Sequence, residues 1–476
     1  MSAKFGIIRN MKMKTLLLAT VAAVGAFGAS AKTRTWEISA WRGETLAVRL
    51  PDNVELGAVP EGISLKVGAA LPVKFLADPQ GLQLAEAYDR VRWGAPAGGP
   101  RFVEIAVPAD AKPGVYACGM MRLKVVDRVL PPPKEWKYYL DLWQHPWAVA
   151  RHANVRPFSK EHYAAMRPVY ELLATAGQKA VTVTILEQPW GHQCFDAYHS
   201  LVDDPDFRTF DEYVSFCFDC GLGPDISCYS LCPWILDEEP GTPEFEKRWA
   251  PFLTRFAKHL KEKGWLGRTL MAMDEREPAQ VKAIADLVRK YAPGLRISLA
   301  GNRKPSEFKG IDIDVYSQIL SYATSDFLAE VPARRARGFV TTQYVCCWPR
   351  TPNTFMASRP AEAFWWGACP AMLGLDGALR WAWNSWPQDP VRDASFGDWL
   401  AGDTFLCYPG GEPSVRFLEL RNGVIAAEKM RLLREKGLFA KDLGELAKSY
   451  ELQPALKDTC DFVAVRAKTM AVVNKE

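Results

Sequence analysis

Two hydrophobic patterns divide the chain and predict two kinds of structure. From Thr33 to about Val129, short stretches of alternating apolar and polar residues, such as TWEISAW and RFVEIAV, are separated by Pro, Gly and Asp. This period of two predicts an antiparallel β-sandwich over residues 32–130, with no amphipathic helix. The proline-rich segment LPPPKEW follows, and it predicts a stiff linker over residues 131–136.

Beyond the linker, apolar runs alternate with amphipathic helical stretches. Eight runs are interpreted as strands, at residues 138–144, 180–186, 225–231, 269–275, 296–301, 313–318, 339–345 and 377–383. Strands joined by helical crossovers predict a (β/α)8 TIM barrel over residues 137–413. Only the short stretch NRKPSEFKG separates strands five and six. A mostly helical segment over residues 414–476 is expected to pack across the barrel.

The first 31 residues have the pattern of an export signal. Four basic residues precede the apolar stretch TLLLATVAAVGAFG, and Ala29-Ser30-Ala31 forms a small-x-small cleavage site. The apolar stretch is too short for a stable membrane span. We therefore expect a soluble, exported protein, periplasmic or extracellular. Removal of the signal lowers the formal net charge from +4 to zero, so the charge favours neither nucleic acid nor membrane insertion.

The stretch LMAMDEREP places three carboxylates where the fourth predicted barrel strand ends. Active sites of such barrels lie at the C-terminal ends of the strands, which makes Asp274 and Glu275 candidate catalytic residues. Glu277, just ahead of Pro278, instead suits the dipole of the following helix. That structural role explains Asp274 poorly, because a carboxylate in a barrel mouth is costly to desolvate.

Aromatic residues gather at the ends of the same predicted strands. The chain contains 17 Trp, which fits either a large core or a sugar-binding protein. Flat rings around carboxylates suit a pyranose, whose C–H face stacks while its hydroxyls form hydrogen bonds. The candidate substrate-binding residues are Trp143, Trp190, Tyr229, Tyr316, Tyr344, Trp348, Arg380, Trp381, Asn384 and Trp386. Among them, Arg380 and Asn384 are the candidate ligands of sugar hydroxyls.

Carboxylates and aromatic rings in a barrel mouth suggest glycoside hydrolysis. Two carboxylates usually flank the scissile bond, but adjacent residues on an extended strand project to opposite sides. Asp274 and Glu275 therefore suit a substrate-assisted reaction better. In this reaction one acid protonates the leaving oxygen, and the other holds a 2-acetamido group that attacks the anomeric carbon. The hydroxyl of Tyr316 or Tyr344 is the candidate donor to the acetamido carbonyl oxygen.

Several stretches between roughly Lys137 and Arg434 resemble glycoside hydrolase family 123. They are LDLWQHPWAVAR, AMDE, LRWAWNSW, and GDWLAGDTFLCYPG followed by SVRFLELRNG. The resemblance implies a β-N-acetylgalactosaminidase that works with net retention. It further implies that Asp274 orients the acetamido group and stabilises an oxazolinium-like intermediate, while Glu275 is general acid and then general base. After LELRNG the chain departs from the family, because VIAA stands where relatives carry acids and an aromatic.

Two alternative functions remain open. The first is a glycosidase with a direct two-carboxylate mechanism on a different sugar, with Glu187, Asp312 or Asp314 as the second carboxylate. The second is a carbohydrate-binding barrel without catalytic activity. In all three cases the expected partner is a glycan or glycoconjugate.

Neither a metal nor an organic cofactor is predicted. Cys217, Cys220, Cys228 and Cys232 superficially resemble a zinc site, but the gap between the two pairs is shorter than usual zinc spacings. The six His show no ligand spacing. We expect most of the cysteines to be buried small hydrophobic residues.

Overall fold

The computed structural model of the protein describes residues 35–77, 84–95, 98–186, 206–229, 231 and 238–476. Seven strands form the N-terminal part of the described chain. The strands are β1 (Trp36–Arg42), β2 (Thr45–Arg49), β3 (Ser64–Leu76), β4 (Leu84–Trp93), β5 (Arg101–Ala106), β6 (Gly114–Cys118) and β7 (Met121–Val129). They make two sheets, ordered β2-β5-β3-β4 and β1-β7-β6. Residues of both sheets share one apolar core, which gives the predicted sandwich. The predicted export signal lies outside the described residues.

One strand pairing in the sandwich differs from the prediction. Strands β1 and β7 pair in parallel, whereas the other pairs in both sheets are antiparallel. Alternation of apolar and polar residues marks a half-buried strand but carries no information on its direction. The segment predicted as a stiff linker contains a 3₁₀ turn, Pro133–Glu135, and ends at the buried Trp136. This segment is therefore packed against the protein, and the predicted domain boundaries stay predictions.

Eight parallel strands then form a nearly closed barrel, which confirms the predicted fold class. They are β8 (Tyr139–Leu142), β9 (Ala180–Thr184), β10 (Asp225–Tyr229), β11 (Thr269–Asp274), β12 (Arg296–Gly301), β13 (Val315–Ile319), β14 (Val340–Tyr344) and β15 (Gly377–Arg380). Neighbours in the chain are neighbours in the sheet, and β15 pairs with β8. Between β8 and β9, the backbone N–H of Lys179 donates to Leu140 O at 2.8 Å. Each strand coincides with one of the eight predicted runs to within a few residues.

Helices surround the barrel: α1 (Pro146–Ala153), α2 (Lys160–Ala174), α3 (Arg208–Asp219), α4 (Pro243–Glu262), α5 (Pro278–Tyr291), α6 (Ser325–Ala336) and α7 (Pro360–Leu373). Ser159, Thr242 and Thr324 cap three of them by accepting a backbone N–H. Between β12 and β13 there is only a 3₁₀ turn, Pro305–Glu307. In the described part of the chain, no helix combines the length and hydrophobicity needed to cross a membrane.

Side chains inside the barrel form separate clusters along its axis. At the N-terminal ends of the strands, Tyr139, Leu270 and Val315 pack together with Val340. At the C-terminal ends lies a second group, the mouth cluster, made of Trp143, Tyr229, Ala272, Ala300, Ile319, Tyr344, Leu379, Trp381 and Ala382, with Cys346, Phe396 and Trp399 against it. Active sites of such barrels occupy this end, so the mouth cluster lies where an active site is expected.

The C-terminal helices are α8 (Val415–Glu435), α9 (Ala440–Ala447), α10 (Leu452–Leu456) and α11 (Phe462–Val473). Helix α8 crosses α7 so closely that a Cβ on Gly423 would lie 2.3 Å from Phe364 O. It also contacts the sandwich, because Arg416 pairs with Asp89 at 3.0 Å. The stretch 424–427, where the chain departs from the resembled family, is buried within this packing. The C-terminal segment therefore holds barrel and sandwich together.

Candidate active site

Two adjacent carboxylates leave strand β11 in different backbone conformations. Asp274 is the last strand residue and pairs with Ala300 of the mouth cluster. Glu275 has a φ of 48°, and its N–H donates to Ala300 O at 2.7 Å. This left-handed conformation costs a non-glycine residue about 1 to 2 kcal/mol. The turn brings Glu275 Oε1 to 2.5 Å from the Tyr344 hydroxyl, which donates to it. Asp274 follows Leu270 and Ala272, which lie inside the barrel, at the spacing of two that keeps side chains on one face, so both carboxylates face the barrel mouth.

Two tyrosines of the mouth cluster surround these carboxylates. Burial raises the pKa of Tyr344 well above its ordinary value, and the negative charges of Glu275 and Asp274 raise it further. Burial likewise raises the pKa of Tyr229, with added contributions from Asp141 and Asp274. Both hydroxyls therefore stay protonated at neutral pH, and Tyr344 donates its proton in the bond to Glu275.

Tryptophans form an apolar wall beside the carboxylates. Trp143, directly after β8, packs on Tyr229 with ring centroids 4.4 Å apart. Trp381, directly after β15, packs on Trp399 at 4.9 Å. Trp399 and Phe396 were missed by the sequence reasoning, because they lie in an irregular segment well beyond the last barrel strand. Trp143 and Trp381 are buried, whereas Trp399 and Phe396 are partly exposed and offer flat apolar faces on which a pyranose stacks.

Arg380 supports this wall from behind. It is fully buried and pairs with Asp403, the two side chains being 2.7 Å apart. Asp403 also accepts a hydrogen bond of 3.2 Å from Trp381 Nε1. Burial raises the pKa of Asp403, although the charge of Arg380 opposes this shift. The prediction that Arg380 binds a sugar hydroxyl is therefore corrected. Arg380 pairs with Asp403 inside the protein, and through Asp403 it positions Trp381.

Asn384 is also a structural residue. Its side chain is buried, accepts the N–H of His145 at 3.0 Å and donates to His145 O at 2.9 Å. These two bonds tie the loop after β8 to the segment after β15. Its predicted role as a hydroxyl ligand is therefore corrected as well.

Tyr316 and Trp386 lie away from the mouth cluster, contrary to the prediction. Tyr316 points outward from β13, because its neighbours Val315 and Ile319 occupy the barrel interior. Its hydroxyl donates to Arg303 O, which removes it as a candidate for the acetamido group. Trp386 is buried and donates from Nε1 to Cys407 O at 2.7 Å.

The remaining two predicted aromatics have different positions. Trp348 follows β14 and is 53% exposed, in the same loop as Cys346, which packs against the mouth cluster. Trp190 lies outside the described residues. Of the ten predicted binding residues, the structure thus gathers Trp143, Tyr229, Tyr344 and Trp381 in the mouth cluster.

A buried carboxyl, Asp141 of β8, was not anticipated from the sequence. It is 2% exposed and accepts a hydrogen bond of 3.4 Å from Gln178 Nε2. Burial raises its pKa to about 7. Together with Asp274 it contributes to the negative potential around Tyr229.

Asp141 should make the stability of the protein depend on pH. Its pKa is about 7 when folded, against about 3.9 in an unfolded chain. At a pH between these two pKa values, the folded state binds more protons than the unfolded state. The contribution of Asp141 to the free energy of unfolding therefore falls as pH rises, by up to about 1.4 kcal/mol per pH unit. Asp141→Asn is expected to remove this slope. Urea unfolding of the wild type and of Asp141→Asn across this pH range measures the slope of the free energy of unfolding against pH. Asp110→Asn, which replaces an exposed carboxylate, is the control. Equal slopes in wild type and Asp141→Asn would contradict the expectation.

The described residues contain no group of three or more His, Cys, Asp or Glu side chains able to hold a metal ion. Cys217, Cys220 and Cys228 are buried free thiols, and Cys232 lies outside the described residues.

Comparisons with known proteins identify a family of glycoside hydrolases. Residues 143–433 match the family model "Glycoside hydrolase 123, catalytic domain". The chain is similar to a solved family 123 glycoside hydrolase from Clostridium perfringens, studied for glycolipid glycan hydrolysis, with a TM-score of 0.79, 23% identity and 93% of each chain covered. A broad-specificity endoglucanase from Clostridium longisporum gives a TM-score of 0.36 at 12% identity, over 62% of this chain and 97% of its own. Among curated proteins, no sequence matches this chain.

Proposed function

Because the chain belongs to glycoside hydrolase family 123, we propose that it cleaves terminal β-linked N-acetylhexosamine, with N-acetylgalactosamine as the expected sugar, by a retaining, substrate-assisted mechanism. The observation that carries the proposal is the left-handed turn at Glu275. It directs two adjacent carboxylates into one mouth, which an extended strand would not do. Two neighbouring acids suit an acid and an acetamido-orienting group better than two acids on opposite sides of a sugar.

In the first step, the sugar ring stacks against the partly exposed rings of the apolar wall, Trp399 and Phe396. Protonated Glu275 gives its proton to the glycosidic oxygen, while the acetamido carbonyl oxygen attacks the anomeric carbon. Asp274 accepts the acetamido N–H and stabilises the positive charge that develops on the resulting ring. The aglycon leaves as an alcohol.

In the second step, Glu275 is a carboxylate and acts as general base. It takes a proton from water, which attacks the anomeric carbon from the face that the aglycon left. The acetamido group is restored, and two inversions give net retention. Tyr344 holds Glu275 at the mouth through both steps, because its hydroxyl donates to Glu275 Oε1, and a carboxyl oxygen accepts this bond in the acid as well as in the carboxylate.

The mechanism is tested by comparing three substrates of the wild-type enzyme. 4-Nitrophenyl β-N-acetylgalactosaminide and its glucosaminide epimer carry the acetamido group, whereas the β-galactoside has a hydroxyl in its place. We expect turnover of an acetamido sugar, no comparable turnover of the galactoside, and competitive inhibition by a thiazoline that mimics the cyclised intermediate. Turnover of the galactoside at a similar rate, without thiazoline inhibition, would favour the direct mechanism.

The described residues give little support to the direct two-carboxylate alternative. Asp314 lies just before β13, at the opposite end of the barrel, where it accepts the Ile297 N–H at 2.9 Å. Asp312 precedes it and pairs with Arg337 at 2.6 Å. Glu187, the third candidate, lies outside the described residues. A barrel that only binds sugar has no need of the turn that brings Glu275 to the mouth.

Replacement of Tyr344 by Phe should lower kcat/KM by about 10-fold to 100-fold, since a hydrogen bond to a charged group contributes about 1.5 to 3 kcal/mol. The loss follows from a Glu275 carboxylate that is no longer held at the mouth. Tyr316→Phe is the matched control, because its hydroxyl contacts Arg303 O outside the mouth cluster. Equal losses in both variants, measured on the same acetamido substrate, would argue against a specific role of Tyr344.

Export through residues 1–31 is also part of the proposal. It predicts that the mature protein, expressed with its leader in a bacterial host, begins after Ala31. The intact mass of the secreted or periplasmic fraction measures this.

A further inference from the structure

Two adjacent cysteines lie at the barrel mouth, and the proposed hydrolysis does not use them. Cys346 and Cys347 follow the end of β14, and their sulfur atoms are 4.0 Å apart. Cys346 packs against the mouth cluster, whereas Cys347 is exposed. The other described cysteines are buried free thiols, apart from the partly buried Cys460. The pair therefore combines proximity with access.

The surroundings make the two thiols unequal. The hydrogen bond with Cys346 lowers the pKa of Cys347, although burial and the negative charges of Asp403 and Glu275 oppose this shift. The same hydrogen bond and burial raise the pKa of Cys346. Cys347 is therefore the more accessible and more readily ionised thiol of the pair. Cys346 packs against the mouth cluster, which contains Tyr344, the hydrogen-bond partner of Glu275.

We propose that Cys346 and Cys347 form a modification site for small-molecule disulfides, at which thiol–disulfide exchange closes a vicinal disulfide at the barrel mouth. The Cys347 thiolate attacks one sulfur of the incoming disulfide, forms a mixed disulfide and releases one thiol. The Cys346 thiolate then attacks Cys347 Sγ and releases the second thiol. Two protein S–H bonds and one external S–S bond are replaced by one protein S–S bond and two external S–H bonds. The two electrons pass to the external disulfide.

Closure has to change the loop after β14. The sulfur atoms must approach from 4.0 Å to about 2.05 Å. The backbone N–H of Cys346 donates to Trp348 O at 3.1 Å, so this turn has to adjust with them. Tyr344, which holds Glu275, is only two residues away. We therefore expect closure to weaken the Tyr344 contact and to lower turnover, and this effect on turnover rests on the proposed function.

The bond should be easy to reduce. Adjacent Cα atoms are about 3.8 Å apart, closer than in most disulfides, and a disulfide outside the usual geometry is more reducible. The proposed export would place the pair in an oxidising compartment, where disulfide partners are available. Closure is therefore expected to be reversible by an ordinary dithiol.

The experiment treats the reduced full-length enzyme with glutathione disulfide and maps the peptide that contains residues 346 and 347 by mass spectrometry. Wild type is expected to lose two hydrogen atoms from this peptide, without a retained glutathione. kcat/KM is expected to fall about tenfold, which corresponds to one hydrogen bond to a charged group, and to recover with dithiothreitol. Cys346→Ser should instead retain a glutathione on Cys347.

Matched variants and outcomes separate this proposal from the proposed function. Cys460→Ser, which removes a partly buried thiol elsewhere, should oxidise at residues 346 and 347 like wild type. An unchanged peptide mass, or a stable glutathione adduct in wild type, would overturn the modification site. Formation of the disulfide with unchanged kcat/KM would overturn the expected effect of the disulfide on the Tyr344 contact. If the wild type cleaves no N-acetylhexosaminide at all, the proposed function fails, while the peptide mass still decides the modification site.

Discussion

Glu275→Gln is expected to lower kcat/KM for a β-N-acetylgalactosaminide by about 10³-fold, within the range of general acid–base catalysis. Glutamine can neither give a proton to the glycosidic oxygen nor take one from water. Its amide oxygen can still accept the Tyr344 hydroxyl, so the shape of the mouth should be kept. The loss is therefore expected in catalysis, with little change in the affinity for the thiazoline inhibitor.

The leaving group provides a second readout for this variant. A nitrophenolate needs little protonation to leave, whereas a sugar alcohol needs a full proton. The loss caused by Glu275→Gln should therefore be larger for a natural disaccharide than for the nitrophenyl glycoside. Steady-state kinetics on both substrates measure the difference. Equal losses on the two substrates would remove Glu275 from the role of general acid.

Glu277→Gln is the matched control for this experiment. Glu277 lies two residues further along, at the N-terminus of α5, and its exposed carboxylate pairs with Arg303 at 2.7 Å. Its replacement should leave kcat/KM unchanged. A comparable loss of kcat/KM in Glu277→Gln would mean that Asp274, Glu275 and Glu277 act through their combined charge.

The barrel was predictable from the sequence because its elements have distinct patterns. Strand β11, for example, is a short apolar run that is buried along almost all of its length. The amphipathic helices α4 and α5 precede and follow it in the chain. Parallel strands are covered on both faces, so they appear as continuous apolar runs. That same burial hides which side chains face inward. Tyr316 was placed on the wrong face for this reason.

The position of the acidic pair was also predictable, but its geometry was not. A strand end in a barrel places Asp274 at the mouth. The left-handed φ of Glu275 has no sequence signal, because glycine or asparagine would normally mark such a turn. Arg380 looked like a ligand because it is charged and ends a strand. Its partner Asp403 lies in a later loop, and only the folded chain shows that the two neutralise each other.

Asp274→Asn is expected to lower kcat/KM by about 10²-fold to 10³-fold, the usual cost of removing one electrostatic contact to a transition state. Asparagine keeps the size of the side chain but not its negative charge. The proposed intermediate carries positive charge on the cyclised acetamido group, so its stabilisation should suffer most. The proton donor Glu275 remains in place, which separates this variant from Glu275→Gln.

The thiazoline inhibitor distinguishes the roles of the two carboxylates. It mimics the cyclised intermediate, so its affinity should fall in Asp274→Asn in step with kcat/KM. In Glu275→Gln its affinity should stay close to that of wild type. Asp286→Asn, on the exposed face of α5, is the control and should change neither quantity. Unchanged thiazoline affinity in Asp274→Asn, despite lost turnover, would contradict its assignment to the acetamido group, because a residue that stabilises the intermediate must also bind its mimic.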